Sequence, residues 1–96
     1  MPAAARLNDH ASDHDGAPPT PCTGASPDVS IDGRAAVREG DPFAPHARPD
    51  ESDHARNLAA GSSSVFINGK PAGRIGDKIS CGGQIAEGSE TVFIGG

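Results

Sequence analysis

A chain of 96 residues has room for one small core, and only 15 of its residues are Leu, Ile, Val or Phe, against 22 that are Gly or Pro. So few large apolar side chains call for support from a metal, a partner or dense backbone pairing. Eight basic against 13 acidic residues, with neither Trp nor Tyr, exclude a basic or stacking surface for nucleic acid, no apolar run approaches membrane-spanning length, and the first residues lack the apolar stretch of a secretory signal.

In chain order, residues 2–9 (PAAARLND) have the look of a return strand and its exit. Residues 10–24 follow as a loop rich in Pro, His and Asp. A small-residue lead-in at 25–28 (ASPD) then opens residues 29–41, VSIDGRAAVREGD. Here a β-branched run, an Asp32-Gly33 turn and a second short strand predict a β-hairpin, because both central turn positions tolerate positive φ. Residues 42–60 read as a second loop, in which only 50–60 show any helical character. After the lead-in 61–64 (GSSS), residues 65–77 (VFINGKPAGRIGD) predict another hairpin around Asn68-Gly69. A Gly-rich SCGG at 80–83, a third lead-in at 88–91 (GSET) and a terminal VFIGG at 92–96 complete the chain.

The two hairpins are copies. At an offset of 36 they share Val29/Val65, Ile31/Ile67, Gly33/Gly69, Ala36/Ala72, Arg38/Arg74, Gly40/Gly76 and Asp41/Asp77, seven of thirteen positions without a gap. The chain ends supply a third copy cut open at its turn. VFIGG is its first half, and residues 2–9 match its second half through Ala4/Ala72, Arg6/Arg74 and Asp9/Asp77. A split copy has a purpose in a closed ring and none in an open array. We therefore expect an all-β, pseudo-threefold body with Gly/Pro-rich loops and adjacent termini. The carboxylates are read as solvated surface.

The repeats also locate candidate metal ligands. His14 lies five residues after Asp9, His46 five after Asp41 and Cys81 four after Asp77. Equivalent positions of a threefold body converge on its axis, and His54, inside the long loop, is the candidate fourth ligand. Three imidazoles and a thiolate suit tetrahedral Zn²⁺. His10 competes with His14, though it follows Asp9 directly and falls out of phase. Cys22, in a PPTPCTG turn, has no repeat counterpart and is read as a structural or incidental thiol, and two cysteines so placed do not make a disulfide framework.

The N-terminal PAAAR at 2–6, VFINGKPAGRIGD, SCGG and terminal VFIGG together resemble the PAAR-repeat family, the caps of contractile injection machines, over nearly the whole chain. The resemblance implies a small conical β-structure of three repeats with a zinc-stapled tip, the zinc held one per chain by His14, His46, His54 and Cys81. It implies a spike-tip protein that sharpens a trimeric valine-glycine repeat (VgrG) spike of a type VI secretion apparatus, one chain per trimer. The resemblance also implies effector toxins as candidate further partners, and a target membrane met only during puncture. The expected location is the cytoplasm during assembly, then outside the cell with the ejected spike. Two departures stand out: 34–39 read RAAVRE where the motif has Pro-Ala-Ala-Arg, and Asn8 stands where Gly is usual.

One PAAR-repeat domain over 1–96 without a toxin extension is expected, and no enzyme. Four protein ligands leave zinc no open position for a substrate or water, Gly69-Lys70 lacks the spacing of a phosphate loop, and SCGG has no oxyanion scaffold around a cysteine nucleophile. The alternative reading is a small zinc-dependent hydrolase or a free metal-binding module.

Overall fold

A computed structural model describes residues 1–12, 18–46 and 54–96, His54 by its backbone. Among these residues every regular element is a strand: β1 (His10–Ala11), β2 (Thr20–Pro21), β3 (Ser30–Ile31), β4 (Arg34–Ala35), β5 (Pro42–His46), β6 (His54–Asn57), β7 (Phe66–Ile67) and β8 (Lys70–Pro71). They pair as four antiparallel hairpins, β1–β2, β3–β4, β5–β6 and β7–β8. The all-β class and the conical repeat fold expected from the sequence are met.

The two repeat hairpins share one register, position for position. Ser30 faces Ala35 and Ile31 faces Arg34 in one, and Phe66 faces Pro71 and Ile67 faces Lys70 in the other. Their turns use positive φ at Asp32 (55°) and Gly33 (77°), and at Asn68 (54°) and Gly69 (78°), the conformation for which Asp-Gly and Asn-Gly are selected. The third hairpin is formed by the two chain ends. Ala3 bridges Phe93, the Ala4 amide donates to the Val92 carbonyl at 2.9 Å, and the Ile94 amide to the Pro2 carbonyl at 2.9 Å.

The return strands then close a ring. Arg6 bridges Ala36, Arg38 bridges Ala72 and Arg74 bridges Ala4, so each unit pairs with the next and the last with the first. At the centre three amides chase one another around the pseudo-axis: Val37 donates to Ala5 (3.1 Å), Ala5 to Gly73 (2.9 Å) and Gly73 to Val37 (2.8 Å). Backbone pairing that needs no side chain explains how a chain so poor in large apolar residues holds together.

Each unit is finished by one arginine and one aspartate. Asp9, Asp41 and Asp77 donate their amides to the carbonyls of Arg6, Arg38 and Arg74 three residues earlier. Each carboxylate accepts the arginine's own amide, its Nε and its Nη2; for Arg38 and Asp41 the distances are 2.7, 3.0 and 2.9 Å. These aspartates are 2%, 5% and 8% exposed, so the expectation of solvated carboxylates fails for them: a bidentate arginine makes burial tolerable. Asn8 has φ 75°, beside 90° at Gly40 and 91° at Gly76, and its side chain is one of the few that tolerate that region.

The segments read as loops belong to the repeat too. β1–β2 and β5–β6 form a second tier, completed in the third unit by a bridge between Lys78 and Gln84. Bridges Ala11–Ile85, Cys22–Phe43 and Leu58–Ile79 close this tier around the axis. The helical character of 50–60 loses to that pairing where the structure describes it, since His54–Asn57 is a strand and Leu58 bridges Ile79. Cys22 also has counterparts. Cys22, Leu58 and Ile85 each donate an amide to the closing aspartate of their unit and are 0%, 1% and 0% exposed.

Two apolar clusters follow from the two tiers. Ala4, Ala36, Ala72, Ile31, Ile67 and Ile94 fill the first. The second gathers Ala5, Val37, Ala11, Phe43, Ile79, Cys22, Leu58 and Ile85, with Ala25 and Cys81 packed against it.

Candidate metal centre and exposed base

Cys81 and His46, from different units, come together at the second tier. His46 closes β5 and is 2% exposed, while Cys81 sits in a tight turn in which the Gly82 amide donates to Ile79 and the Ile79 amide to Gly83. That turn is hooked onto β6, because Ser80 donates its amide to the Asn57 carbonyl (2.9 Å) and its hydroxyl accepts the Asn57 amide (3.2 Å). The result is a Cys81 Sγ to His46 Nε2 distance of 3.6 Å. His46 Nδ1 lies 2.7 Å from the Pro18 carbonyl. A carbonyl only accepts, so Nδ1 carries the proton, and Nε2 is the nitrogen that a neutral ring offers to a metal.

The pair fits zinc by its chemistry and its spacing. Bonds of about 2.0–2.1 Å to nitrogen and about 2.3 Å to sulfur, at a tetrahedral angle, set the two donor atoms about 3.6 Å apart. The β5–β6 register places His54 directly opposite His46, after a shift between Phe43 and His46. His14 lies outside the described residues, as does the side chain of His54, and among the described residues no group of three or more metal-ligating side chains occurs. Two of the four expected ligands are thus seen together, and a third is in register with one of them.

His10 is occupied elsewhere. Its Nδ1 lies 2.8 Å from Glu87 Oε1, its amide donates to the same oxygen at 2.7 Å, and the pair is exposed. The His10 contacts hold the Glu87 carboxyl below its ordinary value. Burial pushes the Cys22 thiol up to about 11, and its Sγ donates to the Gly24 carbonyl at 3.0 Å. Cys22 is a core thiol without an acidic thiol's reactivity. A groove lined by Arg6, Asp9, His10, Arg34 and Glu87 includes neither His46 nor Cys81 in its wall.

Around the first tier, equivalent positions of the three first strands leave apolar surface open. Val29, Val65 and Val92 are 37%, 38% and 36% exposed, and Phe66 and Phe93, next in the chain, 56% and 49%. The first hairpin has an exposed Ser30 at that second position. Each valine is set by the same device: its amide donates to the hydroxyl of the buried lead-in serine three residues earlier, Ser26, Ser62 or Ser89, at 2.8–2.9 Å. Strand alternation opposes the exposed Ser30 and Phe66 to the next residues, Ile31 and Ile67, which turn inward into the first cluster. The sequence directs attention to the buried isoleucines of that cluster; the signal for the exposed row is the Val-Phe that precedes two of them.

Comparison with known proteins agrees with this architecture. The family model described as PAAR motif matches residues 12–86. The chain is 38% identical over 87 residues to the NAD(P)(+) glycohydrolase toxin Tse6 of Pseudomonas aeruginosa strain PAO1, and equally to the (p)ppApp synthetase toxin Tas1 of P. aeruginosa strain UCBPP-PA14, covering 81% of this chain and 20% of each toxin. It is also 51% identical over 39 residues to the double-stranded DNA deaminase toxin A of Burkholderia cenocepacia strain H111, 41% of this chain and 3% of that protein. The chain therefore spans about a fifth of the length of the first two relatives. It belongs to the PAAR motif family.

Proposed function

We propose that this PAAR protein is a structural spike tip that caps a trimeric VgrG-type spike of a type VI secretion apparatus and is ejected with it, without catalytic activity of its own. The single observation that supports the reading best is the closed three-unit ring bearing Val29, Val65 and Val92 at equivalent, exposed positions. Such a ring offers a trimer three similar apolar contacts from one chain. The toxin names of the relatives, which the chain covers only in small part, fit a role beside effectors, either as a carrier or as a neighbour.

At the other tier, His14, His46, His54 and Cys81 are the residues that would hold a zinc ion. Bound there, the metal would cross-link three units at one point, and its contribution would be folding energy. His46 would ligate through Nε2 while its Nδ1–H stays on the Pro18 carbonyl, the carbonyl contact that usually orients a metal-ligating histidine. The hydrolase alternative would require an open coordination position and a general base near it, and the groove beside His10 supplies neither His46 nor Cys81 to a substrate.

Docking is tested with Phe66→Ser and Phe93→Ser, which copy the native Ser30. Both side chains are half exposed, so melting should change little, whereas retention of the chain by an immobilised trimeric spike should fall at least tenfold in the double variant. Wild-type retention by that variant would remove the proposed base.

A further inference from the structure

Arg56 has the largest fully buried side chain among the described residues, 1% exposed, yet among those residues none of the groups that accept its hydrogen bonds is charged. Nη1 donates to Thr20 Oγ1 at 2.8 Å, Nη2 to the Ser12 carbonyl at 2.8 Å and, at 3.5 Å, toward the Gly82 carbonyl. Its Nε is buried without a hydrogen-bond partner. A buried charge with only neutral acceptors is costly, and a merely apolar position would be better filled by Leu or Met.

Its place in the repeat explains the fit. Arg56, Thr20 and Gly83 each lie two residues before the buried set Leu58, Cys22 and Ile85, and are equivalent positions of the three units. One unit supplies a long side chain, and the others make room. A Cβ on Gly83 would lie 2.6 Å from the Ser12 carbonyl and 3.2 Å from Arg56 Nη2.

The contacts of this one guanidinium lie close in the chain to all four candidate ligands. Ser12 is two residues before His14, and Gly82 follows Cys81. Thr20 is two residues after Pro18, whose carbonyl orients His46, and Arg56 is itself two residues from His54 on β6. We propose that Arg56 is the positioning residue of the metal site, its rigid fork fastening the segments that carry His14, His46, His54 and Cys81. The proposal rests on the zinc reading above. Lysine, a single point charge without the fork, cannot reach these acceptors in the same geometry.

The experiment compares wild type with Arg56→Met, Arg56→Lys and Ile67→Ala, the last a cavity in the other apolar cluster. Zinc affinity is read by competition with a chromophoric chelator, and ligand geometry by the absorption of the cobalt-substituted protein, including its thiolate-to-cobalt band. Arg56→Met should lose about 10–100-fold in zinc affinity, the usual effect of removing a group that orients ligands, with an altered cobalt spectrum. Arg56→Lys should recover only part of it. Ile67→Ala should melt lower but keep affinity and spectrum. Arg56→Met with wild-type affinity and spectrum would overturn the proposal. Should Arg56→Met fail to fold, Thr20→Val removes one acceptor of the fork, and an unchanged affinity and spectrum there would overturn it equally. A wild-type chain that binds neither ion would instead refute the zinc reading, a result separable from all of these.

Discussion

Ile94→Ala tests ring closure at its seam. Two residues from the end of the chain, an isoleucine on a frayed tail would be solvated, and its truncation would cost nothing measurable. Ile94 is instead 7% exposed, beside 7% for Ile31 and 8% for Ile67, and packs with Ala4, Ala36 and Ala72. Removing three buried carbons forfeits about 2.4 kcal/mol at roughly 0.8 kcal/mol each. The cavity left among small alanines, which have little side chain with which to collapse into it, brings the cost to about 3–4 kcal/mol. At about 4–8 °C per kcal/mol for a domain of this size, melting should fall by at least about 12 °C. Thermal and urea unfolding of Ile31→Ala, Ile67→Ala and Ile94→Ala, at one fixed metal concentration, should place all three within about 1 kcal/mol of one another. A loss under about 0.5 kcal/mol for Ile94→Ala, with a full loss for Ile67→Ala, would refute the closed ring.

Removing the metal should separate the two thiols: after chelation Cys81 becomes open to iodoacetamide while buried Cys22 labels only on unfolding, and equal labelling of both would contradict the assignment. Asp32→Asn keeps the turn, since Asn68 holds the equivalent position at nearly the same φ, but removes a carboxylate whose pKa is lowered from 3.8 by hydrogen bonds from Ser89 and Thr91 and by Arg6. A lowered folded-state pKa stabilises above the ordinary value and is lost as pH falls through the folded one. The stability difference between wild type and variant should therefore be present at pH 7 and close below about pH 3.8; a difference independent of pH would exclude the ionised carboxylate as its source.

The first tier was legible because its signals are local. β-branched strands and Asn-Gly or Asp-Gly turns specify a hairpin within a dozen residues, and the split copy at the termini follows from comparing segments. The second tier was not. Its strands β1 (His10–Ala11) and β2 (Thr20–Pro21) carry no β-branched or aromatic run, and the tier is closed by backbone bridges between units. The sequence leaves Cys22 without a repeat counterpart because it fills with a thiol the place that Leu58 and Ile85 fill with aliphatics. Spacing from the closing aspartates did bring out His46 and Cys81, which meet at 3.6 Å, whereas Arg56 gave no sign, since its burial depends on Thr20 and Gly83 being small in two distant segments.

In the proposed assembly one pseudo-threefold chain meets one true threefold partner. Native mass spectrometry of the chain mixed in excess with a trimeric VgrG-type spike measures this most directly. One chain per trimer, with no further uptake at higher excess, is the predicted result; three chains per trimer would contradict it, because each spike subunit would then bind a whole tip on its own.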